Sequence, residues 1–135
     1  MFRTSLIAAA IGAFGLAWPF VAFAIAQDQG EYSTVAEARE ALMAKPGIQV
    51  RKHKGWLIIE DLEQKKLWSF TPSSHEAYPA VVSRQPVEEN NMLAIKMQVM
   101  CQAPEPECKR LLKSFEALND SIRQDVVNQQ PSDKR

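Results

Sequence analysis

The first 26 residues decide most of what the rest of the chain can become. Met1 to Ala26 read as a secretory signal peptide. Arg3 supplies the positive start, Leu6 to Ala26 carry no charge, and Pro19 interrupts the apolar helix near its end. Ala24-Ile25-Ala26 gives a small-residue cleavage pattern before Gln27, and Ala22-Phe23-Ala24 gives a second one. The charge-free run of 21 residues is long enough to span a bilayer, so an uncleaved anchor is the competing reading. Pro19, Gly12, Gly15 and the small-residue pairs favour cleavage. On that reading no stable membrane insertion follows, and the mature chain folds in a periplasmic or secreted, oxidising setting.

About 109 residues remain, the size of a single domain with one modest core. The whole chain holds 16 basic and 16 acidic side chains, which excludes the basic excess of a nucleic-acid module. Its two cysteines, Cys101 and Cys108, both lie in the exported part. An oxidising compartment favours their pairing, and closing so short a loop is worth about 2–3 kcal/mol. A zinc site would need four ligands, so no metal or cofactor is expected from the pair.

Gln27 to Tyr32 form a polar leader. Thr34-Val35-Ala36-Glu37 fits a capping box, and Val35, Ala38 and Leu42 recur at helical spacing until Pro46-Gly47, predicting a helix over 34–44. The period then changes to that of strands. Ile48 and Val50 alternate with polar residues, Lys54-Gly55 turns the chain, and Trp56–Glu60 and Leu67–Thr71 flank a charged tip at Asp61–Lys66. Ala80–Val87 makes a further strand, with Pro86 marking an edge or an end. After a turn at Glu88–Asn91, residues 92–101 alternate most cleanly and are expected to be the central strand, with Leu93, Ile95, Met97, Val99 and Cys101 inward. A helix of about 15–20 residues begins near Glu105, its apolar stripe running through Cys108, Leu111, Leu112, Phe115, Leu118, Ile122 and Val126. Residues 129–135 are expected to be a disordered tail. The resulting expectation is one α+β domain over 33–128: an antiparallel sheet of about four to five strands with an N-terminal and a C-terminal helix packed on one face.

The loop Thr71-Pro72-Ser73-Ser74-His75-Glu76-Ala77-Tyr78-Pro79 is the leading candidate site. It is long for a link between two strands and gathers Ser74, His75, Glu76 and Tyr78 beside a strand bearing Trp68. The bland alternative is a structured crossover, with Tyr78 packing on the core and His75 capping a turn. Serines, a histidine and a glutamate are the residue types of nucleophilic catalysis, yet sequence neighbours rarely reach triad geometry. None of the recurring hydrolase, zinc-protease or phosphate-loop motifs is present. Met92, Met97 and Met100 suit a core better than a Cu(I) site. The basic run Arg51–Lys54 and the pair Lys65–Lys66 would make one positive patch if their hairpin ends adjoined. Trp56 and Trp68 would make an apolar patch if they shared an uncovered face.

The block Trp68-Ser69-Phe70-Thr71-Pro72 with His75, Ala77-Tyr78-Pro79-Ala80-Val81-Val82 and Arg84 resembles that of small uncharacterised exported bacterial proteins. The resemblance covers roughly residues 55–120, including the late cysteine pair, and implies an envelope protein without implying an activity. The functional expectation is a small binding protein, an inhibitor or accessory subunit. It would meet an envelope protein or cell-wall component through the 71–80 loop, with Tyr78 as aromatic anchor and His75 as polar contact. The alternatives are a periplasmic hydrolase with His75 as general base and a metal-handling protein.

Overall fold

The computed structural model describes residues 30–129. The expected signal peptide (1–26), residues 27–29 of the polar leader and residues 130–135 of the expected 129–135 tail lie outside them. Two helices and five strands follow in the order α1 (Val35–Ala44), β1 (Ile48–His53), β2 (Trp56–Asp61), β3 (Lys66–Phe70), β4 (Ala80–Glu89), β5 (Met92–Cys101) and α2 (Glu105–Gln129). The strands form one antiparallel sheet whose spatial order is the chain order, β1-β2-β3-β4-β5. Local chemistry sets the reversals. Lys54 and Gly55 both take positive φ in the two-residue β1–β2 turn, as do Asn90 and Asn91 between β4 and β5, the backbone that matches the right-handed twist of a hairpin. At the β2–β3 tip the Asp61 carboxylate accepts from the Gln64 amide at 3.0 Å, which folds the loop back on itself. Thr34 caps α1 by accepting from the Glu37 amide at 3.1 Å, and Glu37 in turn accepts from the Ser33 amide at 3.0 Å.

The two helices do not share a face. Leu57, Ile59, Trp68, Phe70 and Val81 point to one side and bury with Val35, Ala38 and Leu42 of α1. Val82, Met97, Val99 and Cys101 point to the other and pack with Leu111 and Phe115 of α2. The expectation of helices on one face is therefore corrected to three layers, α1 over the sheet over α2. The reason lies in β3 and β4. Trp68-Ser69-Phe70 and Ala80-Val81-Val82 are buried at every position, polar Ser69 included, so neither face of these strands is left to solvent and each face needs its own cover.

A second correction concerns 92–101, which is an edge strand paired only with β4. Its clean alternation reflects α2 lying on one side, which supplies the burial that a second neighbouring strand was expected to share. Pro86 fits its place: β3 pairs with β4 only from Val81 to Arg84, so Pro86 sits in the stretch joined to β5 alone. The Cys101–Cys108 disulfide is formed, with Cα atoms 5.8 Å apart, and ties the end of β5 to the first turn of α2. Two residues assigned to the leader belong to the fold: Tyr32 packs edge-on to Trp68 at 5.6 Å between centroids, and Glu31 pairs with Lys66 at 3.2 Å. Among the described residues, no helix is long and apolar enough to cross a membrane.

Candidate functional site

The loop between β3 and β4 is built from two consecutive turns. The His75 amide donates to the Pro72 carbonyl and the Tyr78 amide to the His75 carbonyl, both at 3.0 Å. Thr71 closes the base, its amide donating to the Ala80 carbonyl at 3.0 Å and its hydroxyl accepting from the Ala80 amide at 2.9 Å. The last link is a cis Tyr78–Pro79 peptide, after which the Pro79 carbonyl accepts from the Gln102 amide at 2.9 Å. With these bonds made locally, the loop is a fixed platform.

Its side chains divide between the two faces of the sheet. His75 and Glu76 turn toward α2. The His75 Nδ1 accepts from the Ala77 amide at 3.0 Å, and its ring packs edge-on against Trp56 at 5.1 Å, which in turn meets Phe115 at 5.8 Å. Glu76 takes a two-point bond from Arg110, whose Nε and Nη2 lie 2.9 and 3.2 Å from its oxygens, and Arg110 also reaches Glu107 at 3.0 Å. The Arg110 guanidinium holds the Glu76 carboxyl below the ordinary carboxylate range. The arrangement is a clasp between loop and helix. His75 and Glu76 are engaged in it separately, and neither is set to act as the other's base.

Tyr78, Ser73 and Ser74 turn the opposite way, into a groove of about 830 Å³ on the α1 side. Val35, Ala36, Arg39, Glu40 and Met43 of α1 form one wall, and Pro72, Ser73, Ser74, Tyr78 and Pro79 form the other. Leu57 and Phe70 lie beneath them, and Lys52 and Gly55 close one end. The volume falls within the usual range for ligand sites. Tyr78 stays 49 % exposed and Met43 50 %, large apolar surface that the fold itself leaves uncovered. Gly55 is required here twice over: its φ is +84°, and a Cβ would come within 3.2 Å of the Pro72 ring. The β1–β2 turn is thereby seated directly against the loop.

Of the five side chains named from sequence, the structure brings Ser74 and Tyr78 together in the groove. His75 and Glu76 are placed on the far face. Trp68 is 5 % exposed in the α1 core, beneath the ammonium of Lys66 at 4.4 Å. Trp56 and Trp68 point to opposite faces, so they form no joint patch. Arg51–Lys54 and Lys65–Lys66 sit at opposite ends of the sheet, because consecutive turns of a meander lie at opposite ends of the strand between them. Sequence reasoning missed Arg39, Glu40 and Met43, whose helix was read only for its buried stripe. It also missed Arg84, half-buried over Phe115 at 5.2 Å, whose Nε has no partner and whose pKa burial lowers. Among the described residues, no three His, Cys, Asp or Glu side chains gather as metal ligands would. No family model matches this chain, and no curated protein or solved structure does either.

Proposed function

We propose that this chain is a small exported binding protein that holds an envelope component in the groove between α1 and the 71–80 loop, as an inhibitor or accessory subunit. The single observation that carries the reading is the exposed Tyr78 on a locally bonded loop, lining with exposed Met43 a groove that has buried Leu57 and Phe70 beneath. Aromatic anchors of this kind concentrate binding energy, and a pre-set loop loses little entropy on capture. The disulfide and the apolar, charge-free leader of the sequence support export. The hydrolase reading draws no support from the loop, since the Nδ1 of His75 is bonded to backbone and Glu76 is held by Arg110.

The test is site-specific crosslinking in a bacterial host expressing the full chain, with the photoreactive group at Met43 on the groove rim and capture read from the envelope fraction. A specific adduct that is lost in Tyr78→Ala and kept in His75→Ala is the expected result. An adduct equally strong in Tyr78→Ala, with the variant folded by near-UV circular dichroism, would overturn the reading.

A further inference from the structure

We infer that the groove's occupant is an extended peptide segment presenting an acidic side chain beside an apolar one. This rests on the binding reading above and adds the chemistry of the partner. The argument lies in how the charges are distributed. Among the described residues, Lys45, Lys66, Lys109, Arg110 and Arg123 each lie against a carboxylate. Arg39, Arg51, Lys52, Lys54, Lys65, Arg84, Lys96 and Lys113 do not, and two of these eight enter the groove's lining. Arg39 and Lys52 line the groove itself, and Lys54 immediately precedes Gly55, which lines it too. Glu40 is the sole carboxylate in that lining. The groove thus carries two cations outside any ion pair and a single carboxylate, above an apolar floor.

The two halves ask for one ligand. An apolar side chain entering over Leu57 and Phe70 would bury against them and Tyr78, while a neighbouring carboxylate would meet Arg39 or Lys52 at the rim. Arginine suits that role, since its planar fork donates to both oxygens of a carboxylate. A polyanion or lipid headgroup would use the rim but leave the floor and Tyr78 wet. A purely apolar peptide would bury the floor and leave two unpaired cations at its flank. Rim charges chiefly raise the association rate and enforce partner choice, and both effects weaken with salt.

The experiment starts from the full chain, expressed in a bacterial host and purified from the envelope, then panned against a displayed library of random decapeptides. Selected peptides are synthesised as they stand, with Glu and Asp changed to Gln and Asn, and with Glu and Asp changed to Lys. Enrichment of acidic residues next to apolar ones is expected. The neutral counterparts should bind about tenfold more weakly, and Arg39→Glu/Lys52→Glu should invert the preference toward the Lys peptides. Both substituted side chains are exposed, so the variant's fold is checked by circular dichroism and not assumed. Peptides that need Tyr78 but show no acidic bias would overturn this inference and leave the binding reading standing. Failure of any peptide to enrich over a Tyr78→Ala control would count against both. Retention on phosphatidylglycerol vesicles or polyphosphate, unaffected by Tyr78→Ala, would reassign the rim to an anionic surface and overturn the peptide.

Discussion

Asp61 is 1 % exposed at the foot of the sheet, where Lys45 reaches it at 2.5 Å and the Gln64 amide bonds its other oxygen. Burial alone would push its carboxyl up, but the Lys45 ammonium and the backbone amides outweigh that, and the net shift is below its ordinary value near 3.8. The folded state therefore binds this proton less readily than the unfolded chain. The stabilisation is complete above the ordinary carboxylate range, about pH 4, and is lost as pH falls below it toward the folded pKa. Asp61→Ala should cost on the order of 2 kcal/mol at pH 7. Urea titrations at pH 7 and pH 3 should show a smaller loss of stability on acidification in the variant than in the parent. His75 and Tyr78 test the loop in opposite senses. His75→Ala removes the Trp56 packing and the Ala77 bond, so it should lower stability by about 1–2 kcal/mol while sparing groove binding. Tyr78→Ala should leave the denaturant midpoint nearly unchanged and weaken capture tenfold or more.

At the scale of elements, the disulfide is the clearest lever. Cys101 and Cys108 close a short loop between β5 and α2, and Cys101→Ser/Cys108→Ser should lower stability by about 2–3 kcal/mol, read as a shifted urea midpoint at unchanged slope. Elements were the most legible level of this sequence. Both helices, all five strands and the cysteine pairing were expected from capping residues, periodicity and the reading of an exported chain, although α2 runs 25 residues where about 15–20 were expected. Sidedness was not legible, because Ala80 to Val82 are apolar on both faces, Ser69 is buried although polar, and a strand's pattern does not name the helix that covers it. The edge position of β5 was hidden for a related reason: alternation records burial, and α2 provides it as well as a neighbouring strand would. For the site, Ser74 and Tyr78 were legible as loop residues. Their separation from His75 and Glu76 depends on two tight turns that send adjacent side chains to opposite faces. Arg39, Glu40 and Met43 were invisible as a wall, because nothing local in α1 shows what its outer surface borders.

At the scale of the whole molecule, two small cores share one sheet, with Leu42 buried on the α1 side and Leu111 on the α2 side. Ile59 and Val82 are fully buried on opposite faces of adjoining parts of that sheet, so losing one core exposes the backing of the other. Leu42→Ala and Leu111→Ala should each cost about 2–4 kcal/mol. Far-UV and near-UV circular dichroism should still follow one transition in each variant. Separate transitions would mean that the layers unfold independently.

The order of that sheet also bears on delivery. For a chain that crosses a membrane unfolded and N-terminus first, as proposed for this one, the emerging strands would pair in the order they arrive. None has to wait for a later strand to fill a gap beside it. α1 emerges before the surface it covers, and among the described elements α2 arrives last, with closure of the cysteine bridge. The bridge thus joins β5 to α2, the last two of the described elements to arrive, and can close only once β5 has emerged.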